Sequence, residues 1–260
     1  MKPNYKNWVP EGLVAGICAG TAALSAGAAC LGTMGKGKTA KALSAICGAG
    51  ALGCGVMAGW SIAAYRAFSY KGKRQLSKQI IEGVAERITL PEGGVGLDVG
   101  CGSGALTIAC AKRNPRGRMV GIDRWGADYA FFSKSLCEQN ALAEGIGNVS
   151  FQKDNAVKLE FDDDTFDAVT SNYVYHNITS RDRQALLLET LRVLKKGGTF
   201  AIHDLFSKAR YGDMDTFMAE LRRQGYERVE LIDTTGGLFM SRWEAVRLML
   251  TGSALLVGRK

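Results

Sequence analysis

The segment Gly96-Leu97-Asp98-Val99-Gly100-Cys101-Gly102-Ser103-Gly104-Ala105-Leu106-Thr107 constrains the fold of this chain more than any other. A short apolar run ends in an acid, three glycines follow at alternate positions, and a helix-forming stretch comes next. Glycine lets a backbone turn sharply and approach a ligand closely, and the first turn of a helix offers unpaired amides to whatever lies there. The spacing is G-x-G-x-G after an acid, distinct from the G-x-G-x-x-G of dinucleotide-binding turns. A strand, a glycine turn and a helix in that order open a parallel α/β sheet.

The rest of the chain continues that alternation. Strands are expected over residues 95–99, 117–122, 148–152, 166–171, 198–203, 228–233 and 253–258, with helical stretches between most of them. A helix over 75–87 precedes the first strand and is broken by Pro91-Glu92-Gly93-Gly94. The implied fold class is α/β, a Rossmann-like doubly wound sheet of seven mostly parallel strands.

On the glycine segment the chain resembles the class I S-adenosylmethionine-dependent methyltransferases, whose first motif has the form D-x-G-x-G-x-G. The resemblance extends over about residues 75–260 and implies S-adenosyl-L-methionine as cofactor, held by Asp98, Gly100, Cys101, Gly102 and Gly104. Asp123 ends the run Val120-Gly121-Ile122-Asp123, 19 residues after Gly104, where the family places an acid for the ribose hydroxyls. A carboxylate suits a diol, and Arg124 stands beside it. Asp154 and Asn155 match the place where the adenine amino group is read, and Asn172 ends the segment that looks like the fourth strand. A loop carboxylate or helix cap is the alternative for Asp123 and Asp154. Leu191 to Phe200 looks like the family's helix, turn and fifth strand, with Lys196 where proline is frequent. These motifs specify fold and cofactor and leave the acceptor open.

Methyl transfer from a sulfonium is an in-line displacement, so a base is needed only where the acceptor must lose a proton. His176 follows the fourth strand in a loop that faces the methyl group in similar enzymes, and Asp204 ends the fifth strand; these two are the catalytic candidates. His203, by strand alternation, reads as a buried hydrogen-bonded residue. Tyr173 and Tyr175 either line the acceptor pocket or cover the sheet edge. With prolines only at 3, 10, 91 and 115, the chain lacks both the [DNS]-P-P-[YFW] motif of amino-methylating enzymes and a Pro-Cys nucleophile. Cys101, Cys110 and Cys137 fall on the cofactor loop and helices, which argues against arsenic methylation. A small molecule or a lipid remains as acceptor.

The N-terminal region is of another kind. Residues 12–35 and 42–65 are two uncharged runs of 24 residues, each about 36 Å long as a helix and able to cross a hydrocarbon core of about 30 Å. They predict a two-helix transmembrane hairpin over residues 1–70, ahead of a methyltransferase domain over 71–260. Gly12, Gly16 and Gly20, then Ala51, Gly55, Gly59 and Ala63, form rows that allow close helix approach and leave homo-oligomerisation open. A signal peptide or a peripheral hairpin is the alternative.

Residues 1–78 carry eight Lys and two Arg against Glu11, a net of +9, whereas the remainder is nearly neutral at −1. The basic character therefore belongs to the hairpin and its flanks and gives no reason to expect nucleic acid. Arg66, Lys71, Lys73, Arg74 and Lys78 follow the second run, which predicts a cell-membrane location with a cytoplasmic catalytic domain. Lys36, Lys38 and Lys41 in the link oppose that orientation in part. Seven cysteines without a C-x-x-C pair predict neither a disulfide framework nor a metal site. Two other functions share the topology: a nicotinamide-dependent oxidoreductase, whose usual glycine spacing is missing, and a non-catalytic membrane adaptor that retains the fold.

Overall fold

The computed structural model describes residues 2–126 and 131–260. Two compact units make up the chain, Lys6–Lys78 and a second that joins Met1–Tyr5 to Gln79–Lys260.

The first unit is an antiparallel pair of helices, α1 (Glu11–Thr33) and α2 (Lys38–Phe68), both long and apolar enough to cross a membrane. They touch through small residues in matched register. Positions Gly32 and Ser44, Gly27 and Cys47, Gly50 and Leu24, and Gly55 and Thr21 face one another, and the Ser44 hydroxyl donates to the Ala28 carbonyl at 2.7 Å. The predicted row Gly12, Gly16 and Gly20 does not make this contact: a Cβ at any of the three would meet nothing within 4 Å, and the same holds for Gly59. A helix presents several faces with small residues, and the partner's register, which spacing within one helix does not report, selects among them.

The second unit is a seven-stranded sheet with strand order β3-β2-β1-β4-β5-β7-β6. Its strands are β1 (Val95–Val99), β2 (Arg118–Asp123), β3 (Val149–Lys153), β4 (Phe166–Asn172), β5 (Leu194–Leu205), β6 (Arg228–Asp233) and β7 (Ser253–Arg259). β1 to β5 run parallel and β7 is antiparallel to both its neighbours. The order reverses beside β1, so the carboxyl ends of β1 and β4 flank a switch point, where such sheets bind ligands.

Flanking the sheet are α3 (Leu76–Ala85), α4 (Ala105–Arg113), α5 (Lys134–Ala143), α6 (Arg183–Arg192), α7 (Lys208–Tyr211), α8 (Met214–Arg223) and α9 (Arg242–Arg247). Their starts follow side-chain chemistry: Ser133 accepts from the Leu136 amide at α5, Asp182 from Ala185 at α6, and Asp213 from Asp215 and Thr216 at α8. On α8, Met214, Phe217, Met218 and Leu221 are buried at helical spacing, joining Phe200, Leu194 and Leu256 in one core. Parallel central strands are covered on both faces, and β1 and β4 are accordingly buried along most of their length.

Candidate active site

The glycine loop is held by backbone geometry. Gly100, Gly102 and Gly104 have φ of +73°, +55° and +79°, a region that L side chains rarely enter. The Gly100 and Cys101 amides both donate to the Ile122 carbonyl, at 2.8 and 2.9 Å, fastening the loop to β2. The Gly102 amide donates to Asp123 Oδ2 at 2.9 Å, and the Trp125 amide to Oδ1 at 2.8 Å. A carboxylate has about four lone-pair sites, so Asp123 keeps acceptor capacity at the open end of β2. Arg124 beside it is exposed.

Asp98 sits differently from the other acids. It is buried, and its oxygens accept from the Thr107 hydroxyl at 2.6 Å and the Thr170 hydroxyl at 3.1 Å. Its carboxylate braces β1 against α4 and β4 from inside the core. Burial raises its pKa to about 7, partly offset by the two threonine hydrogen bonds and assisted by the charge of Asp123. An acid raised in the fold stabilises through its protonated form; that contribution is complete below its ordinary value near 4 and is lost as pH climbs to about 7. Asp98→Asn is therefore expected to remove a loss of stability on the order of a few kcal/mol across that window. Thermal unfolding of both proteins from pH ~4 to ~7 checks this, and parallel curves would refute it.

Asp154 is nearly buried at the end of β3, where it accepts from the Asn155 amide at 2.7 Å and the Glu160 amide at 3.3 Å, while Asn155 is exposed. Asn172, ending β4, has its Oδ1 2.9 Å from His203 Nδ1. His203 is fully buried between Asn172 and Thr234, as alternation predicts, and burial pushes it down to about 3, so it is neutral at ordinary pH.

After Asn172 the chain enters a short 3-10 turn, Tyr175–Asn177. It brings the two catalytic candidates together: His176 Nδ1 lies 2.6 Å from Asp204 Oδ1. Asp204 is fully buried and also accepts from the Leu205, Tyr175 and His176 amides, at 2.6, 2.9 and 3.3 Å. Burial alone would raise its carboxyl, but the hydrogen bond and charge of His176 and these amides hold it below the ordinary carboxylate range. An ionised carboxylate only accepts, so His176 Nδ1 is the donor of this hydrogen bond and Nε2 faces away from Asp204. The ring remains 17% exposed. A histidine oriented by a buried acid is the arrangement of a general base.

Of the two tyrosines, Tyr175 belongs to the core, fully buried with its hydroxyl 2.6 Å from that of Thr190. Tyr173 packs edge-on to His176 and against His203, with ring centroids 5.9 and 4.6 Å away, and its hydroxyl lies 2.6 Å from Ser253 Oγ. Burial raises the phenols of both well above their ordinary value.

Several contributors lie outside the sequence expectations. Trp125 donates its indole N–H to the Gly102 carbonyl at 3.1 Å, and Phe132 lies beside Gly102. Asn140 on α5 is buried and donates to the Ser103 carbonyl at 2.9 Å and the Asn4 carbonyl at 3.1 Å, while the Asn4 amide donates to its Oδ1 at 2.7 Å. It thereby ties the N-terminal residues to the glycine loop. Nothing local marks these positions, because their partners lie 23 to 136 residues away.

Sheet order, glycine loop and the acids at the strand ends together define a class I methyltransferase fold. Residues 97–202 match the family model described as Methyltransferase domain, and this segment is a methyltransferase domain of the S-adenosylmethionine-dependent class.

Among curated relatives, the demethylmenaquinone methyltransferase of Geobacillus kaustophilus is 36% identical over 121 residues, 45% of this chain and 47% of that protein. An uncharacterized methyltransferase of Schizosaccharomyces pombe is 32% identical over 152 residues, 56% of this chain and 53% of that protein. The chain spans about half the length of the curated relatives it matches.

Of the solved structures, the [4+2]-cyclase SpnF aligns with a TM-score of 0.55 at 21% identity, covering 72% of this chain and 82% of that one. Geranyl diphosphate methyltransferase in complex with GPP and sinefungin gives 0.55 at 14% identity, covering 75% and 80%. These likenesses show the fold. That one neighbour is a cyclase illustrates why the reaction has to be argued from the site.

Proposed function

We propose that this chain transfers the methyl group of S-adenosyl-L-methionine to an amphiphilic small molecule or lipid-like acceptor at the cytoplasmic face of the cell membrane. The observation that carries the reading is the convergence of the glycine loop, Asp123 and the His176–Asp204 pair on one edge of the sheet. The residues fit the cofactor: three glycines hold positive φ, Asp123 offers a partly exposed carboxylate for a diol, and Asp154 and Asn155 stand at the end of the next strand. Bound there, S-adenosylmethionine supplies a sulfonium methyl, which needs no activation beyond a correctly placed acceptor. His176 accepts the acceptor's proton at Nε2, Asp204 fixes the tautomer that can do so, and Tyr173 beside the ring limits water.

Two features support a membrane acceptor. The apolar hairpin has the length and composition of two spans, and residues 69–75 between α2 and α3 reach at most about 25 Å when extended. A membrane-dissolved acceptor would meet the site at raised effective concentration. The relative from Geobacillus kaustophilus bears a name that refers to demethylmenaquinone, an acceptor of the same chemical kind.

The test uses the full chain in vesicles with lipid extract of the producing cell and cofactor labelled on its methyl group. Label should enter the lipid fraction. Label confined to the aqueous fraction would overturn the lipid-like acceptor and leave methyl transfer standing. Calorimetric titration with S-adenosylmethionine and with NAD tests the cofactor itself. Asp123→Ala should weaken the former by about 1 to 3 kcal/mol, the cost of an unpaired buried polar group, in a chain that still folds. Unchanged affinity would remove Asp123 from the site.

A further inference from the structure

The connection from β6 to β7, residues 234–252, gathers exposed apolar side chains that the catalytic reading does not use. Leu238, Trp243, Val246 and Met249 are 39%, 72%, 62% and 72% exposed. The other large exposed hydrophobics described in this unit, Leu142, Val157 and Leu188, stand singly on separate parts of the chain. Single exposed residues are ordinary, whereas four within one connection of nineteen residues mark a candidate contact.

The set is held in place and does not fray. A capping box between Ser241 and Glu244 fixes the start of α9, and Ala245 and Leu248 bury its inner face. Trp243 and Val246, three residues apart, share the outer face. Met249 projects from a backbone φ of +59°, which is costly for a side-chain-bearing residue and persists only where the surroundings impose it.

Charge and size indicate the partner. Arg242 and Arg247 are exposed on either side of Trp243 and Val246, so the apolar face is bordered by cations, and an indole is suited to a boundary that is wet on one side. Four side chains fall short of the roughly 800 Å² per partner that a stable protein interface takes. Beside α9 lies an open depression of about 460 Å³ lined by Phe206, Leu231, Ala245 and Val246 together with Asp233 and Arg242. Ser253, on its wall, is the residue that meets the Tyr173 hydroxyl.

Resting on the membrane reading above, we propose that the β6–β7 connection is a bilayer-contacting surface, with Trp243, Val246 and Met249 at the headgroup boundary and Arg242 and Arg247 on anionic lipid phosphates. The chain then meets the membrane at a second place besides its hairpin.

The experiment places the full chain in vesicles of phosphatidylglycerol and phosphatidylcholine brominated high on the acyl chains. Quenching is compared among the unmodified chain, Trp243→Phe and Trp60→Phe, so that each difference isolates one indole. Trp243 should lose roughly half or more of its emission, since an interfacial helix seats its apolar face about 5 to 10 Å into the boundary. Arg242→Glu with Arg247→Glu should reduce that loss. Quenching of Trp60 without quenching of Trp243 would overturn the proposal and leave the hairpin in the membrane. If neither indole were quenched, the membrane reading itself would fall, and the proposal with it. A lipid-independent blue shift of Trp243 in a chain of doubled mass would assign the surface to a second copy instead.

Discussion

Gly100→Ala is expected to lose cofactor binding and to lower the unfolding temperature by roughly 10 °C, while Gly102→Ala lowers it by roughly half as much or less. Both glycines have positive φ, so both substitutions meet the roughly 1 to 2 kcal/mol that a left-handed conformation costs an L residue. What separates them is the neighbour. A Cβ on Gly100 would collide with Val174 Cγ2 and stand 2.7 Å from its Cγ1, whereas one on Gly102 would lie 3.5 Å from Phe132, an ordinary contact. Overpacking adds about 1 to 3 kcal/mol at the first position only.

The collision also has a direction. Val174 directly precedes the turn that carries His176, so an alanine at 100 pushes that turn away from the glycine loop as well as distorting the loop. Gly102→Val, whose side chain is larger and branched, should retain the fold less well than Gly102→Ala and bind cofactor weakly. Thermal unfolding and calorimetric titration with S-adenosylmethionine distinguish these cases. A Gly100→Ala chain that folds and binds normally would show that the loop is not held by Val174.

The glycine motif was legible because its message is local: alternating glycines directly after an apolar run that ends in an acid permit the positive φ of a tight turn. Which glycine is sterically indispensable was not legible, since Val174 lies 74 residues on. All seven strands were readable from apolar runs and breakers to within one residue except β5, which spans Leu194–Leu205 and not 198–203. There Phe166 pairs with Leu194 and Ala168 with Thr199, a register shift that carries the strand through Gly197 and Gly198. Glycines of that kind read as a turn in sequence, and only the partner strand makes them part of the ladder.

Site residues followed the same division. His176 and Asp204 could be nominated from their positions after two adjacent strands, because parallel strands deliver their carboxyl ends to one edge. Asn140, Trp125 and Thr107 could not, since each acts through a partner fixed only by packing. Asp98 shows the limit most clearly: its place in the motif was legible, and its partners Thr107 and Thr170, 9 and 72 residues away, were not.

Asp204→Asn is expected to slow methyl transfer by about 10²- to 10⁴-fold, the usual contribution of a positioned base, with little change in affinity for S-adenosylmethionine. The carboxylate now accepts from three amides and from His176 Nδ1. An asparagine has one acceptor oxygen and one donor NH₂. If the oxygen stays with the Tyr175 and His176 amides at the Oδ2 place, the NH₂ takes the Oδ1 place, where it opposes the Leu205 amide and faces His176 Nδ1, selecting the tautomer whose Nε2 carries a hydrogen, which cannot take a proton. His176→Ala removes the proposed base outright and should lose rate to a similar extent. The double variant should be no slower than either single one, because residues that act as a unit are not additive. Asp204→Ala is a harsher change, leaving buried amides without an acceptor, and should cost about 3 to 5 kcal/mol of stability, so it is the wrong variant for kinetics. The measurement is single-turnover transfer of labelled methyl alongside calorimetric binding of the cofactor. If His176→Ala transfers methyl at the parent rate, the acceptor needs no base, and the pair serves only to anchor the turn after β4.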